Sequence, residues 1–184
     1  MKKKIPCIFI DRDGTICEDK VYLADPEGLV IFPEVPEGIQ RLKKSGFLTI
    51  VITNQSGIGR GYFDKETLEK IHERLKGILK EKGAVIDAIY YCPHHPEENC
   101  DCRKPKTGLV QQALKDFEID LDRSFIIGDT DMDTELGRKM GMKTILLTRP
   151  SNPTVAGISR GGIPSDFTTE DFQKAVEWIL KNRN

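Results

Sequence analysis

Cys7-Ile-Phe-Ile-Asp-Arg-Asp-Gly-Thr15 is an apolar run that ends in two carboxylates, Asp11 and Asp13, two positions apart. The run begins at Ile5, and a short continuous apolar run of this kind predicts a buried strand. Taken alone, Asp-x-Asp-Gly is often no more than a polar turn after a strand. The residues that follow the other predicted strands decide whether it marks a catalytic site.

Apolar runs of the same kind alternate with helical patterns along the rest of the chain. The further predicted strands are Phe47–Ile52, Ile86–Tyr91, Ser124–Ile127 and Thr144–Leu147. The predicted helices are Pro36–Ser45, Lys65–Lys82, Leu109–Phe117, Asp131–Met140 and Glu170–Lys181. This alternation predicts a central parallel sheet with helices on both faces, which is a three-layer α/β sandwich.

Two helix boundaries and two irregular segments complete the outline. Asp64 is the expected N-cap of the second helix, and Gly83 is expected to close it. Arg149–Asp166 is rich in Gly, Pro and Ser and is expected to be a surface loop. Asp11–Val30 has no regular period, so we expect a flap over the end of the first strand.

Length and charge narrow the class of protein. The chain has 184 residues, which predicts one domain over residues 1–184. Its 28 Lys and Arg nearly balance its 29 Asp and Glu, so charge gives no case for binding nucleic acid or an anionic membrane. No run approaches the roughly 18 apolar residues of a membrane span, and no signal-peptide pattern opens the chain. We therefore expect a cytoplasmic protein that is a monomer or weak oligomer.

Three more sets of polar residues stand at predicted strand ends, where ligands of an open parallel sheet bind. They are Thr53-Asn54, Arg103-Lys104, and Asp129 in Phe125-Ile-Ile-Gly-Asp129. A hydroxyl and an amide can donate to phosphate oxygens, and the two cations can neutralise the same group. Asp129 and Asp133 supply the hard oxygen ligands that magnesium prefers. Together with Asp11 and Asp13, these sets favour a phosphate site over a polar turn.

In this order the four sets resemble the motifs of the haloacid dehalogenase (HAD) superfamily of phosphohydrolases, and the resemblance covers residues 5 to 147. It implies a HAD-like Rossmannoid fold. It also implies that Asp11 attacks phosphorus and forms an aspartyl-phosphate. Asp13 would protonate the leaving alcohol and then take a proton from water. Thr53 and Lys104 would hold the transferring phosphoryl group.

Magnesium is the catalytic cofactor that the resemblance implies, because an anionic nucleophile needs a cation to approach an anionic phosphate. Its expected ligands are the Asp11 side chain, the Asp13 backbone carbonyl and Asp129. Asp131 or Asp133 is expected to act through water or through hydrogen bonds to the ligands.

A carboxylate at position 13 separates the phosphatases of the superfamily from its dehalogenases, whose leaving group needs no protonation. We therefore expect an enzyme that is a phosphatase. A phosphotransferase stays open, because an aspartyl-phosphate is a mixed anhydride. A catalytically inactive binding or scaffold protein is the rival from another class. The intact Asp11, Asp13, Lys104 and Asp129 argue against it.

A second metal site is predicted in Cys92-Pro-His-His-Pro-Glu-Glu-Asn-Cys-Asp-Cys102. Three thiolates and one imidazole make a closed tetrahedral site for structural zinc, with Cys92, His94, Cys100 and Cys102 as ligands. His95 is the competitor for His94. The alternative is a disulfide of Cys92 or Cys100, which a reducing cytoplasm disfavours. This zinc-binding loop should also fix where Arg103 and Lys104 point.

The other cysteines and histidines receive simpler interpretations. Cys7 is expected to be a small core residue, and no role is assigned to Cys17. His95 is expected to be polar surface, and His72, in the middle of a helix, is expected to be solvated.

The intervals between the motifs are too short for the cap domain of larger superfamily members, so no cap domain is expected. Specificity is then left to short loops at Asp19–Tyr22, Gln55–Arg60 and His94–Arg103. The side chains expected to bind substrate are Asp19, Tyr22, Asn54, Gln55, Ser56, Arg103 and Lys104.

Among capless members the chain resembles two families, the D-glycero-D-manno-heptose-1,7-bisphosphate 7-phosphatases and the histidinol-phosphatases. Thr53-Asn-Gln-Ser-Gly-Ile-Gly-Arg-Gly-Tyr-Phe63 is similar to the heptose family's motif, because Ser56 stands where histidinol phosphatases carry aspartate. Cys92-Pro-His-His-Pro96 agrees with it. The expected partner is thus a small phosphorylated sugar, the heptose bisphosphate, with histidinol phosphate as the alternative. The chain departs from the heptose family's pattern at two points. The loop from His95 to Cys100 is short, as in the histidinol enzymes, and Thr130 stands where both families usually carry a basic residue.

Overall fold

The computed structural model describes residues 4–149 and 162–183. Within them, six strands form one sheet: β1 (Ile5–Ile10), β2 (Leu48–Asn54), β3 (Ala88–Cys92), β4 (Ile119–Gly128), β5 (Lys143–Leu147) and β6 (Phe167–Thr169). Their order across the sheet is β3-β2-β1-β4-β5-β6. Each neighbouring pair is parallel. The predicted central parallel sheet is therefore confirmed.

Helices cover both faces of this sheet. The described residues contain α1 (Val35–Lys44), α2 (Lys65–Glu81), α3 (Gly108–Asp116), α4 (Asp131–Lys139) and α5 (Phe172–Lys181). One core cluster joins α1, α2 and α5 to one face of the sheet, and a second joins α3 and α4 to the other. Strand β1 supplies both clusters, with Ile8 and Ile10 in the first and Cys7 and Phe9 in the second. The three-layer sandwich and the core position of Cys7 are confirmed.

The helix boundaries have the local chemistry that the sequence predicts. The Asp64 side chain accepts the backbone N–H of Thr67 at 2.8 Å and so caps the start of α2. After α2 ends, Gly83 takes a positive φ of 74°, a conformation that costs glycine little. Two short 3-10 turns, Pro26–Gly28 and Pro96–Glu98, lie in the flap and in the cysteine-rich loop.

Strand β6 and the first half of β4 are not apparent in the sequence. Strand β6 has three residues, Phe167–Thr169, and lies at the sheet edge, so no apolar run in the sequence indicates it. Strand β4 begins at Ile119, but Asp120, Asp122 and Arg123 give its first half the composition of a loop. Of the predicted loop Arg149–Asp166, residues 150–161 lie outside the described residues.

The order of the strands indicates where a ligand would bind. Strand β1 lies between β2 and β4, so the chain turns in opposite directions on its two sides, and ligands of open α/β sheets bind at such a switch point. The carboxyl ends of β1, β2 and β4 therefore share one edge. In the described part of the chain, no helix is both long and apolar enough to cross a membrane.

Candidate active site

A cavity of about 840 Å³ opens at the carboxyl ends of β1, β2 and β4. Its wall contains every residue predicted to take part in catalysis, magnesium binding or substrate binding, namely Asp11, Asp13, Asp19, Tyr22, Thr53, Asn54, Gln55, Ser56, Arg103, Lys104 and Asp129. It also contains residues that the sequence did not single out, among them Arg12, Met132, Glu135 and Ile163. The structure thus brings these side chains together around one cavity, as their positions at strand ends predict. Their individual roles stay predictions.

Lys104 lies between two carboxylates at the base of this cavity. Its Nζ is 2.7 Å from Asp11 Oδ1 and 2.7 Å from Asp133 Oδ1, and it donates to the Ile52 carbonyl at 3.0 Å. All three charged side chains are almost fully buried. Burial lowers the pKa of Lys104, but Asp11 and Asp133 raise it by more, so its pKa lies above the ordinary value. The amine therefore stays charged.

Asp11, Asp129 and Asp133 form a cluster of three buried carboxylates, each offering an oxygen within 4.8 Å of the others. Burial raises the pKa of Asp11 well above its ordinary range, Lys104 lowers it, and the other carboxylates raise it again. One lysine cannot balance three carboxylates, so a divalent cation that prefers oxygen fits here. The cluster could hold a metal ion. Asp133, for which the sequence predicts only an indirect role, belongs to it.

Asp13 has a different set of partners. Arg12 donates from Nη2 to both of its carboxylate oxygens at 2.9 Å, and from Nε at 3.1 and 3.2 Å. Gln55 Nε2 donates to Asp13 Oδ2 at 2.8 Å and to Thr53 Oγ1 at 2.7 Å. Because the Thr53 oxygen accepts this bond, its own O–H can still donate into the cavity. Gln55 thus links the predicted acid–base to the predicted phosphate-binding hydroxyl.

The prediction that His72 is solvated is wrong. The residue is buried, with Nε2 at 3.3 Å from Arg12 Nη1, and its ring centroid lies 5.7 Å from that of Tyr91. Helix α2 buries a stripe that includes Leu68 and Leu75, and His72 lies on it, one turn from each. That spacing is the signal that could have placed His72 correctly. For Arg12, no sequence signal predicts burial.

Asn54 supports the main chain of Lys104. Its Oδ1 accepts the Lys104 N–H at 2.9 Å, and its Nδ2 donates to the Lys104 carbonyl at 3.2 Å. These two bonds tie the end of β2 to the segment that follows the cysteine-rich loop. Asn54 also lines the cavity, so its predicted role in substrate binding stays a prediction beside this supporting one.

The predicted zinc ligands come together. Cys92 Sγ lies 3.5 Å from Cys100 Sγ and 3.6 Å from His94 Nδ1, and Cys102 Sγ lies 3.6 Å from Cys100 Sγ and 3.2 Å from His94 Nδ1. A tetrahedral zinc site with bonds of about 2.3 Å to sulfur places its sulfur atoms roughly 3.8 Å apart, so these distances fit a metal. The thiols are free, and the disulfide alternative is wrong for this structure. This cluster could also hold a metal ion.

His95, the alternative to His94 as a metal ligand, lies outside that cluster. Its side chain caps the 3-10 turn that starts at Pro96 by accepting the Glu97 N–H, while its own N–H donates to the Glu98 carboxylate. Cys17, to which the sequence assigns no role, is buried, and its Sγ donates to the Arg12 carbonyl at 3.5 Å.

The predicted flap meets the loop after β2 at the cavity wall. Tyr22 of the flap packs edge-on against Tyr62 with ring centroids 4.8 Å apart, and the Arg60 guanidinium lies 5.9 Å from the Tyr22 ring centroid. Asp19 Oδ1 accepts the N–H of Val21, which takes a positive φ of 65°. The left-handed region is unfavourable for a β-branched residue, so the Asp19 bond and the neighbouring packing hold a strained turn here.

Thr130 is the residue just before α4, at its N-cap position, and faces the carboxylate cluster. Its hydroxyl donates to Asp133 Oδ2 at 2.8 Å, so this residue orients Asp133 and brings no positive charge to the wall. Asp131, the next residue, is buried, and its Oδ2 accepts the N–H of Gly162 at 3.0 Å.

Comparison with known proteins agrees with this geometry. A family model described as HAD-hydrolase-like matches residues 101–173. A Thermoplasma volcanium protein named a probable D-glycero-D-manno-heptose-1,7-bisphosphate 7-phosphatase is 45% identical over 141 residues, 76% of this chain and 97% of that protein. A Photorhabdus laumondii protein named D-glycero-beta-D-manno-heptose-1,7-bisphosphate 7-phosphatase is 40% identical over 98% of this chain and 100% of its own length. This chain belongs to the heptose-1,7-bisphosphate 7-phosphatase family.

Membership of this family confirms the predicted class, a phosphatase of the HAD type. A solved structure of the family is similar throughout. The D,D-heptose 1.7-bisphosphate phosphatase from B. bronchiseptica, complexed with magnesium and phosphate, matches with a TM-score of 0.83 and 29% identity. The match covers 97% of this chain and 99% of that one.

Proposed function

We propose that this phosphatase removes the 7-phosphate of D-glycero-D-manno-heptose 1,7-bisphosphate through a covalent aspartyl-phosphate on Asp11. The observation that carries the proposal is the meeting of Asp11, Asp13 and Lys104 at one cavity, in a chain whose relatives are named for this reaction. Each proposed step depends on contacts of these three side chains.

In the first step an Asp11 carboxylate oxygen attacks phosphorus, and the bond from phosphorus to the sugar oxygen breaks. The sugar oxygen takes a proton from Asp13 and leaves as an alcohol. In the second step water gives a proton to Asp13 and attacks phosphorus, which releases inorganic phosphate and restores the Asp11 carboxylate. The contact between Lys104 and Asp11 supports a role in orienting the nucleophile and neutralising the phosphoryl oxygens. The Thr53 hydroxyl would donate to the same group.

The carboxylate cluster supports a magnesium site made by the Asp11 side chain, the Asp13 carbonyl and Asp129, with Asp133 beside them. Bound magnesium would reduce the repulsion between the Asp11 carboxylate and the phosphate. The magnesium in the B. bronchiseptica structure agrees with this proposal.

The cysteine and histidine cluster supports structural zinc. Four soft or borderline ligands, which leave no open coordination position on the metal, are typical of zinc sites that stabilise a loop. Cys102 is followed directly by Arg103 and Lys104, so a metal there would fix the direction in which the chain enters the cavity.

The cavity chemistry favours a sugar bisphosphate over histidinol phosphate. Arg60 and Arg103 offer positive charge to a second phosphate, while Ser56 and Gln55 offer neutral hydrogen bonds to hydroxyls. Asp19 is an acidic residue at the wall that could instead suit the ammonium group of histidinol. The names of the relatives favour the heptose substrate.

The deciding experiment is a comparison of kcat/KM for heptose 1,7-bisphosphate, fructose 1,6-bisphosphate and histidinol phosphate at the same magnesium concentration. We expect the heptose bisphosphate to be preferred by at least about tenfold, or 1.4 kcal/mol in transition-state binding. A tenfold preference for histidinol phosphate would replace this proposal with its runner-up. No turnover of any phosphate ester with magnesium would favour the inactive scaffold.

A further inference from the structure

A buried arginine stands behind the predicted acid–base. Arg12 is 1% exposed and lies between Asp11 and Asp13 in the chain, yet the mechanism proposed above does not use it. Burying a guanidinium has a large free-energy cost unless its charge is paired and its N–H groups are satisfied. The partners that satisfy Arg12 therefore indicate its function.

One end of Arg12 is bound to Asp13. Its Nε and Nη2 contact both carboxylate oxygens at 2.9 to 3.2 Å, which is the fork geometry that arginine has and lysine lacks. Gln55 adds a fifth contact to the carboxylate at 2.8 Å, and the Cys17 thiol lies 3.9 Å away. The carboxylate is thus held in one plane, although 23% of the Asp13 side chain is exposed toward the cavity.

The other end of Arg12 is bound to His72. The distance from Nη1 to Nε2 is 3.3 Å, and because an arginine has no acceptor, Nε2 of His72 must carry the lone pair. Burial and the charge of Arg12 lower the pKa of His72 to about 3, so the ring is neutral near neutral pH. Helix α2 and the Tyr91 ring fix the position of this acceptor.

We propose that Arg12, held by His72, is a positioning residue that fixes the Asp13 carboxyl group, whose protonated form gives its proton to the leaving sugar oxygen. This inference rests on the proposed role of Asp13 as general acid. The effect of Arg12 on catalysis then depends on the leaving group. A sugar alkoxide needs a proton to leave, whereas 4-nitrophenolate leaves readily without one. A purely structural Arg12 would affect both kinds of substrate equally.

The test compares kcat/KM for the fastest sugar phosphate of the substrate panel with kcat/KM for 4-nitrophenyl phosphate, because kcat/KM excludes the hydrolysis step, in which Asp13 would act on the same intermediate for both substrates. In Asp13→Asn we expect a loss of about 100-fold or more with the sugar phosphate and a loss several times smaller with the aryl ester. Arg12→Lys keeps the charge and loses the fork. For this variant we expect a loss of about tenfold with the sugar phosphate and of under about threefold with the aryl ester. KM for the sugar phosphate should change by less than about threefold.

A second pair of variants keeps the test decisive if Arg12→Lys does not fold. His72→Leu removes the acceptor for Arg12, and His72→Gln keeps one. We expect His72→Leu to show the same selective loss as Arg12→Lys. We expect His72→Gln to keep most of the wild-type activity on both substrates. Thermal unfolding of each variant checks that it is folded.

The results separate this inference from the proposed function. If Asp13→Asn is selective while the folded Arg12 and His72 variants lose activity equally on both substrates, or lose none, the positioning role is wrong and the acid role stands. If Asp13→Asn itself shows no dependence on the leaving group, the acid role is wrong and the positioning role is overturned with it.

Discussion

Lys104 Nζ lies 2.7 Å from Asp11 Oδ1, and both side chains are buried at the base of the cavity. A second contact of 2.7 Å joins the same amine to Asp133. One cation therefore stands among carboxylates that repel one another, and all three side chains are almost fully buried. Interactions between charges are strong in such a site, so the removal of this cation should have a large effect.

We expect Lys104→Met to lower kcat by about 100-fold or more, a barrier increase of at least ~2.7 kcal/mol. The amine would no longer orient Asp11 or neutralise the phosphoryl group. Lys80→Met, on the exposed face of α2, is the matched control and should keep wild-type kcat. Steady-state kinetics on both variants would contradict the assigned role if Lys104→Met lost less than about threefold.

The pair His94 and His95 tests the zinc proposal, because only His94 belongs to the cysteine cluster. We expect about one zinc per chain in the wild type and in His95→Gln, and a clear loss of zinc and of thermal stability in His94→Gln. Elemental analysis and thermal unfolding measure these outcomes. Wild-type protein prepared without chelators and found to lack zinc would refute the site.

His72 should make the protein less stable in acid. Its pKa is lowered from 6.5 to about 3 on folding, so between these values the unfolded chain binds a proton that the folded chain does not. This difference has almost no effect above pH 6.5 and reduces the free energy of unfolding as the pH falls toward 3. Between pH 7 and pH 5 we expect a loss of about 1–2 kcal/mol from this residue.

Chemical denaturation of the wild type and His72→Gln at both pH values measures that loss, because carboxylate effects cancel in the comparison. The wild type should lose more stability between pH 7 and pH 5 than the variant does. Equal losses would show that His72 is not buried in its neutral form.

At Gly59 the loop after β2 packs closely against the cysteine-rich loop. A Cβ at Gly59 would collide with the His95 backbone nitrogen, and the Gly59 N–H donates to the Pro93 carbonyl at 2.8 Å. We expect Gly59→Ala to lower the free energy of unfolding by about 1–3 kcal/mol. Gly77→Ala in α2 is the control, because a Cβ there meets open space and should stabilise the helix by about 0.5–1 kcal/mol. Equal effects of the two changes would contradict the close packing.

The sequence predicts well which side chains line the cavity, because they stand at strand ends that the fold brings to one edge of the sheet. Asp11, Thr53 and Asp129 each follow an apolar run that is visible without structural information. Lys104 belongs to the cationic pair Arg103-Lys104, which follows the third predicted strand and the cysteine-rich loop. The same reasoning predicts five of the six strands in the described part of the chain, since each of those five contains an apolar run.

What the sequence does not reveal is polar burial. Arg12 and His72 belong to residue types that are usually exposed, and only the three-dimensional contacts with Asp13 explain why they are buried. Asp133 is similar, because its contact with Lys104 depends on how α4 packs against the sheet. Strand β6 escapes prediction since a three-residue edge strand needs no apolar pattern.

The central claim is that Asp11 is the nucleophile, and Asp11→Asn tests it most directly. An amide cannot form the aspartyl-phosphate, so we expect kcat for the best sugar phosphate to fall at least about 1000-fold. The variant should stay folded by thermal unfolding, because loss of one of three crowded carboxylates relieves repulsion. Asp122→Asn, on an exposed part of β4, is the control and should keep full activity. A folded Asp11→Asn variant that retained more than about a tenth of wild-type kcat would contradict the account.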